Sequence, residues 1–158
     1  MIFRGLGVAR WSALGLAVEL GGRGVVVFLD CGNGFDPYQV LKLAESRLEA
    51  VGILKRVFVS RPFTFYQLRE LVYKDLEAAA KNHGTNEIVI FALTTLFLDD
   101  SRNEEEKIGV LNSIANKLKE LEGKGLSIHY FLDENKYSTH FEEVLANGKN
   151  RTIIPASH

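Results

Sequence analysis

Val25-Val26-Val27-Phe28-Leu29-Asp30-Cys31-Gly32-Asn33-Gly34-Phe35-Asp36-Pro37 is the stretch on which the fold turns. Its first five residues are apolar without a break and mostly β-branched, as in a strand covered on both faces. Gly32-Asn33-Gly34 then interrupts the run with residues suited to turn geometry. Asp36-Pro37 supplies a side-chain N-cap followed by proline at the first helical position. Val40, Leu41, Leu43, Ala44 and Leu48 follow at helical spacing, so one helix is expected across them. Strand, turn and helix in that order make the first half of a βαβ unit.

The same alternation continues on both sides. Further strand candidates are Val57 to Val59, Ile88 to Leu93, Leu126 to Leu132 and Thr152-Ile153-Ile154. Between them, Phe65 to Lys81 aligns Leu68, Leu71, Val72, Leu76 and Ala79, with Asn82-His83-Gly84 as a stop. Ser101 and Glu104 have capping-box spacing ahead of Ile108, Leu111, Ile114, Ala115 and Leu118, and Gly123 to Gly125 closes that element. Thr139 and Glu142 repeat the spacing before a short final helix. Alternating strands and helices imply an α/β fold in three layers, with a mainly parallel central sheet flanked by helices. No linker, repeat or low-complexity segment divides residues 1–158, which read as a single domain.

Composition bounds the function. The chain has 158 residues, 46% of them hydrophobic and 25% charged, with a formal net charge of -1 and a pI near 6.4. This balance offers no bulk attraction to phosphate backbones or anionic lipid, so nucleic-acid contact would need a local patch. The lone Cys31 has no intramolecular disulfide partner, and Met1-Ile2-Phe3-Arg4 is followed by no run that reads as a signal or membrane span. A reducing cytoplasm is the expected compartment. His83, His129, His140 and His158 lack zinc-ligand spacing, and no structural metal is expected.

Ligands of an open parallel sheet collect at the carboxyl ends of its strands, which directs the search to the residues just after each apolar run. Those residues include Gly5-Leu6-Gly7-Val8-Ala9-Arg10-Trp11-Ser12 before a helix, and Leu29-Asp30 followed by Gly34-Phe35-Asp36-Pro37. They continue with Val59-Ser60-Arg61-Pro62-Phe63 plus Tyr66-Gln67, and with Ile88-Val89-Ile90-Phe91-Ala92-Leu93-Thr94-Thr95-Leu96-Phe97. In this order the pieces resemble the core of RecA-superfamily ATPases, especially the archaeal and eukaryotic strand-exchange recombinases and their paralogues, over about residues 2 to 132. The resemblance implies a RecA-like three-layer domain and a role in DNA repair or recombination.

The chemistry of that family is not preserved in the matching positions. A phosphate-binding loop reads G-x-x-x-x-G-K-[ST], with glycine amides around the phosphate, lysine neutralising it and a hydroxyl on magnesium. Here Gly5 is followed by Arg10, Trp11 and Ser12, so only the first glycine and the hydroxyl match. By the same resemblance, Phe91 stands where a magnesium-supporting aspartate belongs, and Gly32 where a catalytic glutamate belongs. There is little room for a first strand ahead of Gly5, and no counterpart of the family's DNA-contacting loops. Losing metal support, charge neutralisation and water orientation together removes hydrolysis rather than weakening it.

The expectation is a non-catalytic, pseudo-ATPase scaffold with no catalytic residues and no required cofactor, acting through a protein partner. Self-association remains open. The altered-pocket candidates are Arg10, Trp11, Ser12 and Asp30. Trp11 is expected to fill the vacated phosphate pocket, and Asp30 to cap the Gly32-Asn33-Gly34 turn. Arg61 and Phe63 are the candidates for an anion or partner contact. Phe63, Phe65 and Tyr66 are expected to serve mainly the core, Cys31 to be inert, and Asp99, Asp100 and Glu104 to Glu106 to be helix-start carboxylates rather than metal ligands. Two alternatives remain: a weak ATPase using Arg10, Ser12 and Asp30 with Mg-ATP, and a nucleic-acid module using Arg10, Arg61 and the aromatics.

Overall fold

A computed structural model describes residues 1–5, 9–99, 102–147 and 153–155. The chain runs β1 (Ile2–Arg4), α1 (Ala9–Arg23), β2 (Val26–Asp30), α2 (Pro37–Leu43), α3 (Arg47–Arg56), β3 (Val57–Ser60) and α4 (Phe65–Glu70). After a π turn at Leu71–Asp75 come α5 (Leu76–Asn82), β4 (Glu87–Phe91), a 3-10 turn at Leu93–Leu98, α6 (Glu104–Gly123), β5 (Ser127–Leu132), α7 (Lys136–Ala146) and β6 (Ile153–Pro155). The strands form one sheet in the order β3-β2-β4-β5-β1-β6, and every neighbouring pair is parallel. The fold is α/β, consistent with a three-layer RecA-like arrangement.

Strand alternation divides the core. Val27, Leu29, Ile88, Ile90, Ile128, Tyr130 and Leu132 point to one face, where they pack with α4 to α7. Val26, Phe28, Val89, Phe91 and Phe131 point to the other, against α1, α2 and α3. The connections leaving β1 and β2 run toward the β3 edge, while those leaving β3, β4 and β5 run the opposite way. A uniform right-handed crossover then puts their helices on opposite faces, as observed. Consequently the chain parts in opposite directions from the adjacent strands β2 and β4, and again from β5 and β1. These are the two switch points of the sheet.

Several sequence expectations need correction. The helix beginning at Asp36-Pro37 does not continue to Leu48. Asp36 caps it as expected, but Ala44 turns to extended backbone and Ser46 starts a second helix by accepting from the Glu49 N–H. Leu48 is therefore 84% exposed instead of joining the buried stripe. Ser101 lies outside the described residues, and the cap of α6 is Asn103, whose side chain accepts from the Glu106 N–H. Thr139 and Glu142 lie inside α7, which Asn135 caps through the N–H groups of Tyr137 and Ser138. The chain does have room for a first strand: three residues suffice, because β1 lies between β5 and β6 and Gly5 extends its ladder to the Leu132 carbonyl.

Candidate functional site

At the β2/β4 switch point the carboxyl ends open onto a cavity of about 260 Å³, bounded by Asp30, Gly32, Asn33, Arg61, Phe63 and Thr95 among others. Two non-glycine residues with left-handed backbone flank it, Asn33 (φ 51°) and Ala92 (φ 60°). Asparagine tolerates that region; a buried alanine there is held by its surroundings. The Ala92 N–H donates to the Phe131 carbonyl and its own carbonyl accepts from Thr95, so β4 ends at Phe91 rather than at the expected Leu93.

Asp30 organises the turn beneath this cavity. Its buried carboxylate accepts from the N–H groups of Gly34 and Phe35, both at 2.8 Å, and from Arg61 Nε at 3.0 Å. Arg61 Nη2 also donates to the Phe35 carbonyl at 2.7 Å, and Arg10 Nε to the Gly34 carbonyl at 3.1 Å. Thus three charged residues from α1, β2 and the end of β3 hold a single turn. The Asp30 cap is the one expected; its ion pair with Arg61, 31 positions away, has no signal in the sequence.

Phe91 completes the turn's support from below. A methyl group built at Gly34 would come within 2.4 Å of the Phe91 ring, and one at Gly32 within 2.8 Å of it. Gly34 is required by close approach of the ring, and Gly32 by the ring together with the Ala92 Cβ, 2.7 Å from where its methyl would stand. The positions where the resemblance places a magnesium-supporting carboxylate and a catalytic one are therefore a buried ring and the glycine packed on it.

The remaining candidates separate. Trp11 is 48% exposed, which corrects the expectation that it fills a closed pocket; its indole faces solvent from α1. Ser12, in the first turn of α1, is partly buried. Phe63 is 77% exposed and so does not serve the core, whereas Phe65 beneath it is buried and stacks on Phe97. Tyr66 packs on Phe65, with the guanidinium groups of Arg69 and Arg102 each over its ring and its hydroxyl donating to Glu106.

The acidic cluster does not converge. Glu104 accepts from the Tyr137 hydroxyl and pairs with Lys136, and that hydroxyl together with the lysine holds its carboxyl below the usual range. Asp100 lies outside the described residues, and among the described ones no group of three or more His, Cys, Asp or Glu side chains is placed to hold a metal. Of the histidines, His83 stacks on Phe58, His129 pairs with Glu87 and His140 bonds Asn112, while His158 lies outside the described residues. Burial, and secondarily the Asp30 charge, pushes the Cys31 thiol far up, away from the reactive thiolate. Among the described residues no helix is long and apolar enough to cross a membrane.

The chain matches no protein-family model and no curated protein sequence.

A second feature was missed from sequence because it depends on strand order. Among the described residues β3 pairs only with β2, which leaves its outer edge unpaired there. It carries exposed Phe58 and Val59, and no proline or inward charge blunts it. Its carboxyl end runs into an open groove of about 470 Å³ between the strand and the following helix, lined by Ser60, Pro62, Phe63, Tyr66 and Leu71 among others. The π turn at Leu71–Asp75 contributes to that wall. Such insertions in a helix recur at functional sites.

Proposed function

We propose that this protein is a non-catalytic RecA-like scaffold that acts by binding another protein, in DNA repair or recombination, through the β3 edge and the groove beside it. The observation carrying the proposal is the unpaired, unprotected β3 edge that opens directly into an aromatic-lined groove. Strand addition suits this geometry: main-chain pairing gives affinity, and an alternate side chain entering the groove gives selectivity. Phe63 at the groove's crest is the expected anchor, while Arg61 is a support for the turn behind it. The pathway comes from the RecA resemblance alone.

Asp30 speaks against the weak-ATPase alternative, since its oxygens already serve three donors. Glu70, Asp75 and Asp99 outnumber Arg61 and Arg102 in the walls near Phe63, and Arg61 is already engaged by Asp30, which disfavours a phosphate backbone there.

Two measurements test this reading. Thermal unfolding with and without Mg-ATP is expected to give the same midpoint. A ligand at a hundred times its dissociation constant would add about 2.7 kcal/mol and move the midpoint by several degrees, which would restore the nucleotide-binding reading. In the second, binding to a strand-exchange recombinase from the same cell is measured by interferometry for the native chain and for Val59→Lys. A lysine on an exposed edge opposes strand pairing without disturbing the core. The variant should bind about tenfold more weakly or worse at an unchanged melting midpoint; equal binding would remove β3 from the interface.

A further inference from the structure

The face of the molecule opposite the β3 groove's wall, built by α1, α2 and α3, carries six large exposed apolar side chains: Trp11, Tyr38, Leu41, Leu43, Leu48 and Val51. Of the six, Leu43 lines a groove on this face, where exposed apolar surface and a concave shape coincide. Along α1, Trp11, Gly15, Val18 and Gly22 recur at spacings of four, three and four, the rhythm of a helix seam. Gly15 and Gly22 have nothing within 4 Å of where a side chain would begin. Between this seam and the α2–α3 junction lies an open groove of about 500 Å³, floored by Gly15, Val18, Gly22 and Leu43.

The charge of the groove selects its occupant. Glu19, Glu45 and Glu49 line it against the single cation Arg23, which already pairs with Glu19. We infer that this groove docks a basic amphipathic helix of a partner protein. The helix lays its apolar stripe over Gly15, Val18 and Gly22, where the missing side chains let two backbones approach closely, and directs lysine or arginine at Glu45 and Glu49. This site lies on the other face of the sheet from the groove beside β3 and does not depend on strand addition there.

Trp11 is the only tryptophan of the chain, so its emission reports on this face directly. The probes are synthetic helical peptides of about three heptads with leucine at a and d, flanked by lysines in one and by glutamates in the other. The lysine peptide should shift Trp11 emission to the blue and bind about tenfold more tightly than the glutamate peptide, an advantage that added salt erodes. Gly15→Leu should abolish this binding while raising the melting midpoint, because a better helix former replaces a half-buried glycine that has open space where its side chain would begin; the variant is thus folded by its own control. Glu45→Lys/Glu49→Lys should reverse the preference between the two peptides. The inference is overturned if neither peptide moves Trp11 emission, or if both bind alike and Gly15→Leu leaves them bound. It is also overturned if sedimentation shows a dimer of the native chain that Gly15→Leu breaks, since the groove would then belong to a second copy.

Discussion

Replacing Asp30 with alanine is expected to cost the fold about 3 kcal/mol or more, the largest loss of any single polar substitution at the strand ends. The carboxylate is fully buried and is the acceptor for two backbone N–H groups besides Arg61. Each buried N–H left without a partner costs about 1–3 kcal/mol. The Arg61 side chain is 41% exposed, so water takes over much of its half of the ion pair and adds little to the loss. Asp30→Asn keeps one carbonyl acceptor and should cost less than alanine. Arg61→Met should cost least, because it leaves both turn amides satisfied. Urea unfolding of the three variants measures this order. If Arg61→Met were as damaging as Asp30→Ala, the ion pair rather than the amide caps would hold the turn.

The second large effect is a coupling. Gly34→Ala forces a methyl group to 2.4 Å from the Phe91 ring and should destabilise by about 1–3 kcal/mol, the range for overpacking a filled site. Phe91→Ala should by itself cost about 3–5 kcal/mol through lost burial and the cavity left behind. Together they should cost less than their sum, since the cavity of one accommodates the methyl of the other. A double-mutant cycle reads this directly. Additivity within about 0.5 kcal/mol would mean that the turn is shaped by its own hydrogen bonds and not by the ring.

The layers of the fold were legible because they rest on local pattern. The apolar run Val25 to Leu29 announced a strand covered on both faces, and β2 is buried throughout. Asp36-Pro37 announced a helix start, and Gly84 and Gly125 take the left-handed backbone that ends two helices. The failures are also local in origin. A serine or threonine three residues before a glutamate also occurs inside helices, which is why Thr139 and Glu142 misled. An asparagine in the short loop after a strand, as at Asn135 beyond β5, was the better signal. Leu48 obeyed the spacing of α2, but Ser46 offered its oxygen to a competing helix start and the chain broke there.

Site geometry was less legible, because it joins residues distant in sequence. Asp30 was singled out for its place at a strand end, and its capping role follows from the glycines after it. Nothing in sequence links it to Arg61, or Phe91 to Gly34; both contacts require knowing that β2 lies between β3 and β4. The exposure of Trp11 and Phe63 reversed expectation for the same reason. Whether an aromatic packs inward depends on which helices flank its element, and periodicity alone leaves that undetermined. The β3 edge is invisible until strand order is known.

The placement of β1 bears on how the molecule is made. Ile2 pairs with Tyr130 on one side and Ile153 on the other, so β1 takes both its neighbours from much later in the sequence. Pairings this distant must wait for a long loop to close, while β2 and β3, joined by a short crossover, need no such delay. During synthesis β1 has neither partner until β5 has been made, while the segment from β2 to β3 can already pair. Ordering of β1 is therefore a late event in folding, and its backbone amides should be among the first in the sheet to exchange with solvent.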